Sequence, residues 1–132
     1  MLNSHKLRDL QFDRILILED DLQFSSILKE FLESVPFEVV AVENGVEGLR
    51  EIMAQDFSAV VCDMMMPKLN GEMFYRAVER IKPSLCKRFI FITGFRGGPN
   101  IDTFIKRING TMLPKPFHMD MLRESIGFAM NR

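Results

Sequence analysis

Five short apolar runs alternate with five amphipathic stripes, and this alternation limits the fold more than any other feature of the chain. Ile15-Leu16-Ile17-Leu18 stops at Glu19-Asp20-Asp21, Ala59 to Cys62 stops at Asp63, and Phe89 to Ile92 stops at Thr93-Gly94. Val39 to Val42 and Thr111 to Leu113 read as a second and a fifth strand. Apolar runs of this length suit strands covered on both faces. Between them, residues recur at helical spacing: Phe24, Ile27, Leu28, Phe31, Leu32 and Val35, then Val46, Leu49, Ile52 and Met53. Phe74, Ala77, Val78 and Ile81, then Ile101, Phe104, Ile105 and Ile108, then Met119, Leu122, Ile126 and Ala129 complete the set. Pro36, Asn44-Gly45, Pro83, Gly97-Gly98-Pro99 and Asn109-Gly110 punctuate the segments. Strict βα alternation implies an α/β chain, a single doubly wound (βα)5 domain with a parallel sheet and helices on both faces.

Composition narrows the class without naming a function. The 132 residues leave room for one domain. A chain of this size buries roughly two-thirds of its unfolded surface, so it needs no disulfide or metal staple. Seventeen basic residues face eighteen acidic ones, for a net charge of -1. That balance gives no general attraction to nucleic acid or to an anionic membrane. No apolar run approaches the ~20 residues that span a bilayer. Residues 1–14 lack the apolar centre of a signal peptide, and Cys62 and Cys86 form no CxxC pair or zinc pattern. A cytoplasmic, reduced protein is the expectation.

The polar residues that stop the strands carry the chemistry. Glu19 and Asp20 follow the first strand, Asp63 the third, Thr93 the fourth and Lys115 the fifth. In an open parallel sheet these positions share the carboxyl edge, where ligands bind. Three crowded carboxylates repel one another unless a cation lies between them, and hard oxygen donors suit Mg²⁺. Mg²⁺ with a lysine and a hydroxyl makes a receptor for a phosphoryl group. No GxxxxGK[ST] or GxGxxG loop is present to hold a nucleotide. A strand-end carboxylate is itself a candidate nucleophile, giving an acyl phosphate. Taken singly, an acid after a strand is usually a helix cap, and Asp21 is the candidate for that role.

Four segments together resemble the receiver domain of two-component response regulators, of the chemotaxis-regulator type. They are ILILEDD, VVCDMMMPKLNG, FITG and LPKPF, and the resemblance runs from about Arg14 to Met130. It implies a flavodoxin-like strand order 2-1-3-4-5. It implies Asp63 as phosphoacceptor, and Glu19, Asp20, Asp63 and the backbone carbonyl of Met65 as ligands of Mg²⁺, Glu19 through water. Lys115 resembles the lysine that pairs with a phosphoryl oxygen, and Thr93 the hydroxyl that turns toward it. Pro67 and Gly71 resemble loop-shaping residues, and Lys115-Pro116 is expected in cis. Receivers carry Tyr or Phe three residues before the lysine. Here that position is Met112, which fills space but swings no ring. Bulk at Met65 and Phe95 is expected to slow hydrolysis of the acyl phosphate.

The leading expectation is therefore a phosphorylation switch that turns over no substrate of its own. A sensor histidine kinase or phosphotransfer protein would donate to Asp63. The surface from Pro99 to Met130 would change to control a downstream effector protein or to form a homodimer. No direct nucleic-acid or membrane contact is expected. The alternatives are a receiver excised from a hybrid histidine kinase and a degenerate receiver used only for protein interaction. An aspartyl phosphatase is a third, although Met65 stands where its second acid belongs. Residues 1–13 are taken as an extension and 14–130 as the receiver, with no output domain. The ten methionines are expected mainly as core filler, Cys62 as an inert core thiol, and His5 and His118 as solvated. Arg76, Arg80 and Lys82 are expected to form a solvated helix face.

Overall fold

The structure, a computed structural model, describes residues 12–66, 68–94 and 98–132. Five strands run in chain order: β1 (Arg14–Leu18), β2 (Glu38–Val42), β3 (Ala59–Asp63), β4 (Phe89–Thr93) and β5 (Thr111–Pro114). The helices between and after them are α1 (Leu22–Ser34), α2 (Gly45–Ala54), α3 (Gly71–Ile81), α4 (Gly98–Ile108) and α5 (Met119–Met130). The sheet is parallel throughout, in the order β2-β1-β3-β4-β5. This is the doubly wound flavodoxin-like arrangement expected from the sequence.

The period-two alternation of strands divides the interior into two cores. Leu16, Leu18, Val60, Cys62, Phe89 and Phe91 face one way and pack with Ile52, Phe74, Val78 and Phe104 of α2, α3 and α4. Ile15, Ile17, Val61, Ile90 and Ile92 face the other way and meet Leu28 and Leu32 of α1 and Leu122 and Ile126 of α5. β3 and β4 are buried along their whole length, whereas β2, at one edge of the sheet, is half-open. In the first core, Tyr75 meets Phe89 edge-on at 5.3 Å and Phe104 at 5.4 Å, a geometry that suits the ring quadrupoles. At Gly48 a Cβ would stand 2.7 Å from Leu18 Cδ2 and 2.9 Å from Phe74 Cε1, so only glycine lets α2 lie this close to the sheet.

Three helices start on side-chain caps at the carboxyl edge. Asp21 Oδ1 accepts from the Phe24 amide at 3.1 Å, Asn44 Oδ1 from Glu47 at 3.0 Å, and Asn70 Oδ1 from Met73 at 2.9 Å. Asn109 ends α4 in the left-handed region at φ 52°, and the Gly110 amide donates to the Ile105 carbonyl at 2.9 Å. One element was not foreseen: Pro83 starts a short 3₁₀ segment, Pro83–Arg88, rather than merely ending α3. Proline suits such a first position because its missing N–H has no partner to lose there. The opposite, amino edge of the sheet is tied by polar contacts. Arg14 pairs with Glu38 at 3.0 Å, Lys82 with Asp56 at 3.0 Å, and Arg88 Nε donates to the Ser58 carbonyl at 2.7 Å.

Candidate functional site

Residues just past the strand ends remain in the ladder. The Glu19 amide donates to the Val42 carbonyl at 3.1 Å, that of Met64 to Ile92 at 2.9 Å, and that of Lys115 to Thr93 at 2.7 Å. These bonds hold the functional side chains on rigid backbone rather than on loose loop. The strand ends thereby bring Glu19, Asp20, Asp63 and Lys115 into one pocket, with Thr93 buried at the end of the adjoining β4.

Glu19 is 1% exposed and Asp63 4%. Carboxylate oxygens of Glu19, Asp20 and Asp63 lie within 4.8 Å of one another. Lys115 Nζ donates to Glu19 Oε1 at 2.9 Å and to Asp63 Oδ2 at 3.4 Å. The same ammonium stands 4.7 Å from the centre of the Phe24 ring, a cation–π contact. Two backbone amides finish the carboxylates: Asp21 donates to Glu19 Oε2 at 3.2 Å, and Met65 to Asp63 Oδ1 at 2.9 Å. One ammonium thus faces three carboxylates. Burial pushes the Glu19 carboxyl up, Lys115 pulls it back, and Asp63 pushes it up again. Burial also raises Asp20, with Glu19 adding to it. For Lys115, burial alone would lower the pKa, but the bonds and charges of Glu19 and Asp63 outweigh it and hold the ammonium above its usual value. Hard oxygen donors with surplus negative charge are the donor set that a small divalent cation requires.

Gly71, the first residue of α3, lies close against the end of β3. A Cβ there would stand 2.9 Å from Met64 Cα and 3.1 Å from the Asp63 carbonyl oxygen, and its amide donates to the Met64 carbonyl at 3.2 Å. Lys115-Pro116 is cis. Met112 lies apart from the acidic pocket: it pairs with Phe91 across the sheet and packs, half-buried, against the core that holds Phe104. Pro67 and Phe95 lie outside the described residues, as does His5. Cys62 is fully buried, and burial, then the charges of Asp63 and Glu19, push its thiol well up.

The methionines serve the core in part: Met64 and Met66 are buried and Met112, Met119 and Met130 pack half-buried against the two cores, whereas Met53, Met65, Met73 and Met121 are exposed. Helical spacing places a residue on a face but does not say how deep the neighbouring helices sit. Arg76 and Lys82 need a correction: they are not merely solvated. Arg76 lies over the Phe104 ring at 5.6 Å, and Lys82 reaches Asp56 in the loop between α2 and β3. Sequence reasoning also missed Phe24, whose place in the first turn of α1 carries no sign of its distant lysine.

A family model described as the response regulator receiver domain matches residues 15–127. The chain belongs to the response regulator receiver family. Among curated receiver relatives, the response regulator receiver protein CpdR of Brucella abortus is 33% identical over 84% of this chain and 92% of its own length. The transcriptional regulatory protein CrdR of Helicobacter pylori is 31% identical over 86% of this chain, which spans 53% of that protein. This chain spans 26% of the transcriptional regulatory protein ZraR of Klebsiella oxytoca. A receiver domain protein from Clostridium thermocellum superposes with a TM-score of 0.82 at 30% identity, covering 91% of this chain and 95% of that one. A CheY-like receiver from Methanospirillum hungatei gives 0.84 at 24% identity, covering 92% of this chain and 95% of the other, a likeness of fold. Receiver domains are signalling modules rather than conventional enzymes, and among the described residues no helix is long and apolar enough to cross a membrane.

Proposed function

We propose that this receiver is a phosphorylation switch of a two-component or phosphorelay pathway, with Asp63 as the phosphoacceptor. The convergence of Glu19, Asp20 and Asp63, with Lys115 bonded to Glu19 and Asp63, carries this proposal. A carboxylate oxygen of Asp63 attacks the phosphorus of a phosphohistidine on a kinase or phosphotransfer protein. The N–P bond breaks, the imidazole leaves, and an acyl phosphate forms on Asp63. Glu19, Asp20, Asp63 and the Met65 carbonyl would hold Mg²⁺, which supplies charge neutralisation for the phosphoryl oxygens when bound. Lys115 exchanges its longer bond, to Asp63 Oδ2 at 3.4 Å, for a phosphoryl oxygen while keeping Glu19. The Thr93 hydroxyl turns toward the same group. Since Met112 has no ring to move, the change passes to α4, β5 and α5 through packing against Phe91 and Phe104.

That surface then binds a downstream effector protein or a second copy of the chain. A cytoplasmic setting, the receiver boundaries 14–130, and no direct contact with nucleic acid or membrane belong to the same proposal. The complete acidic set with its lysine argues against a degenerate receiver used only as an interaction module. Met65 in place of a second acid argues against a phosphatase. A receiver end of a hybrid histidine kinase would use the same site.

Incubation with a small acyl phosphate donor and Mg²⁺, read by intact mass, tests the proposal. A stable single phosphate on the wild type, absent from Asp63→Asn, supports the switch. No adduct on the wild type overturns it in favour of the interaction module. Release of free phosphate over many turnovers overturns it in favour of the phosphatase.

A further inference from the structure

Three consecutive methionines follow Asp63, and the structure treats them differently. Met64 and Met66 are 3% and 7% exposed, whereas Met65 is 67% exposed. The Met64 sulphur is trapped beneath Gly71, where even an added Cβ would stand 2.9 Å from it. Met66 is part of the core with Phe74 and Val78. Met65 is fastened to the acceptor by its own backbone, its amide donating to Asp63 Oδ1 at 2.9 Å. The three side chains line a cavity of about 540 Å³, and Asp20 and Ile101 line it too. An accessible thioether therefore stands beside Asp20, in a cavity whose apolar lining is the methionines and Ile101 and whose polar lining is Asp20, Asn70, Glu72 and Asn100.

We propose that Met65 is an oxidation site, and that its sulfoxide shortens the lifetime of a phosphoryl group on Asp63. The proposal rests on the assignment of Asp63 as acceptor. A hydroperoxide is the oxidant. The sulphur lone pair attacks the peroxide oxygen, the O–O bond breaks, an S–O bond forms, and with hydrogen peroxide the reduced product is water. The sulphur loses two electrons and the peroxide gains them. The thioether, although exposed, offers water almost no hydrogen bond. The sulfoxide is a polar, strongly accepting group that draws water in. Water beside an acyl phosphate is the nucleophile that destroys it. A dithiol reductant returns the sulfoxide to the thioether, the two thiols becoming a disulfide and the oxygen leaving as water, so the change is reversible.

The test treats the intact chain with dilute hydrogen peroxide and locates oxidation by peptide mapping. Oxidised and untreated samples are then phosphorylated with a small acyl phosphate and Mg²⁺, and loss of the phosphate is followed by intact mass. The comparison is repeated with Met65→Leu, which keeps volume and apolarity but has no sulphur. The expected result is oxidation of Met65 well ahead of Met64 and Met66, with a several-fold shorter phosphate lifetime in oxidised wild type. Oxidised Met65→Leu should match its own untreated sample, although Met53, Met73 and Met121 are oxidised in both proteins. Oxidation of Met65 no faster than its buried neighbours overturns the proposal. So does an equal change of lifetime in both proteins, or no change in either. Failure of untreated wild type to accept phosphate overturns the acceptor assignment, and this inference with it.

Discussion

Lys115 Nζ stands nearer to Glu19 than to Asp63, at 2.9 Å from Oε1 of the first and 3.4 Å from Oδ2 of the second. The ammonium is anchored by the carboxylate that does not react, which leaves its weaker bond for exchange. Lys115→Met would strand two buried carboxylates without a cation. We expect a loss of about 1–3 kcal/mol, below the roughly 3–5 kcal/mol seen when a fully buried pair is broken, because Lys115 keeps some contact with water. Urea unfolding in the absence of divalent cations measures it. In a Glu19→Gln background the same substitution should cost clearly less; an equal cost would show that the pair is not coupled.

Gly71→Ala should be costly out of proportion to one methyl group. Besides the Met64 sulphur, the new Cβ meets two backbone atoms, Met64 Cα at 2.9 Å and the Asp63 carbonyl oxygen at 3.1 Å, which cannot rotate away. Overpacking of this kind costs roughly 1–3 kcal/mol. The displaced segment carries Met65 and its bond to Asp63, so phosphorylation should slow as well as stability fall. Urea midpoints and initial rates of mass gain report the two effects, and an unchanged rate would count against the loop-shaping role.

Asp21→Ala separates a cap from the chemistry beside it. Loss of the side-chain bond to the Phe24 amide should cost about 1 kcal/mol of stability. The Asp21 contact that steadies Glu19 is its backbone amide, which alanine keeps. Phosphorylation should therefore proceed at close to the wild-type rate in the variant, at a temperature where both proteins are folded. A large loss of rate would mean that the Asp21 carboxylate takes part in the site.

Cys86 offers a pH signature far from the acidic pocket. Burial, and then the nearby Glu79 charge, push its thiol up to about 11, although Tyr75 works in the opposite direction. Burial also raises Tyr75, helped by Cys86 and Glu79 and opposed by Arg76. Both groups hold their protons more tightly folded than unfolded. Stability should therefore be unaffected by Cys86 below about pH 9 and should fall as pH rises from there toward 11, where the unfolded chain has already lost the proton. Cys86→Ser should flatten that slope in unfolding curves taken between these pH values. At pH 8, alkylation of Cys86 in the folded protein should be much slower than in urea.

The strands and the acidic set were legible because each rests on a pattern short enough to read. Ile15 to Leu18 and Phe89 to Ile92 are apolar without a break, and a strand buried on both faces leaves no other composition available. Glu19, Asp63 and Lys115 were readable because strand ends in a parallel sheet share an edge whatever the sequence distance. Pro83–Arg88 was not legible, since two turns of 3₁₀ helix are too short to show a period. The exposure of Met65 between buried Met64 and Met66 was hidden for a related reason. Past the end of β3 burial still alternates over Met64, Met65 and Met66, but three identical side chains carry no polar contrast from which to read it. The Phe24–Lys115 contact depends on how α1 seats against the strand ends, which no local spacing records.

The polar contacts at the amino edge of the sheet have a consequence for the potential at its other end. A five-residue strand such as β3 spans about 16 Å, roughly two Debye lengths at physiological salt. Arg14, Glu38, Asp56, Lys82 and Arg88 therefore act on Asp63 only at long range, and Arg14–Glu38 and Lys82–Asp56 are paired, so that their opposite charges largely cancel there. Substitutions that keep each pair's net charge at the amino edge should disturb the acceptor's carboxylates far less than a change at Glu19 or Lys115.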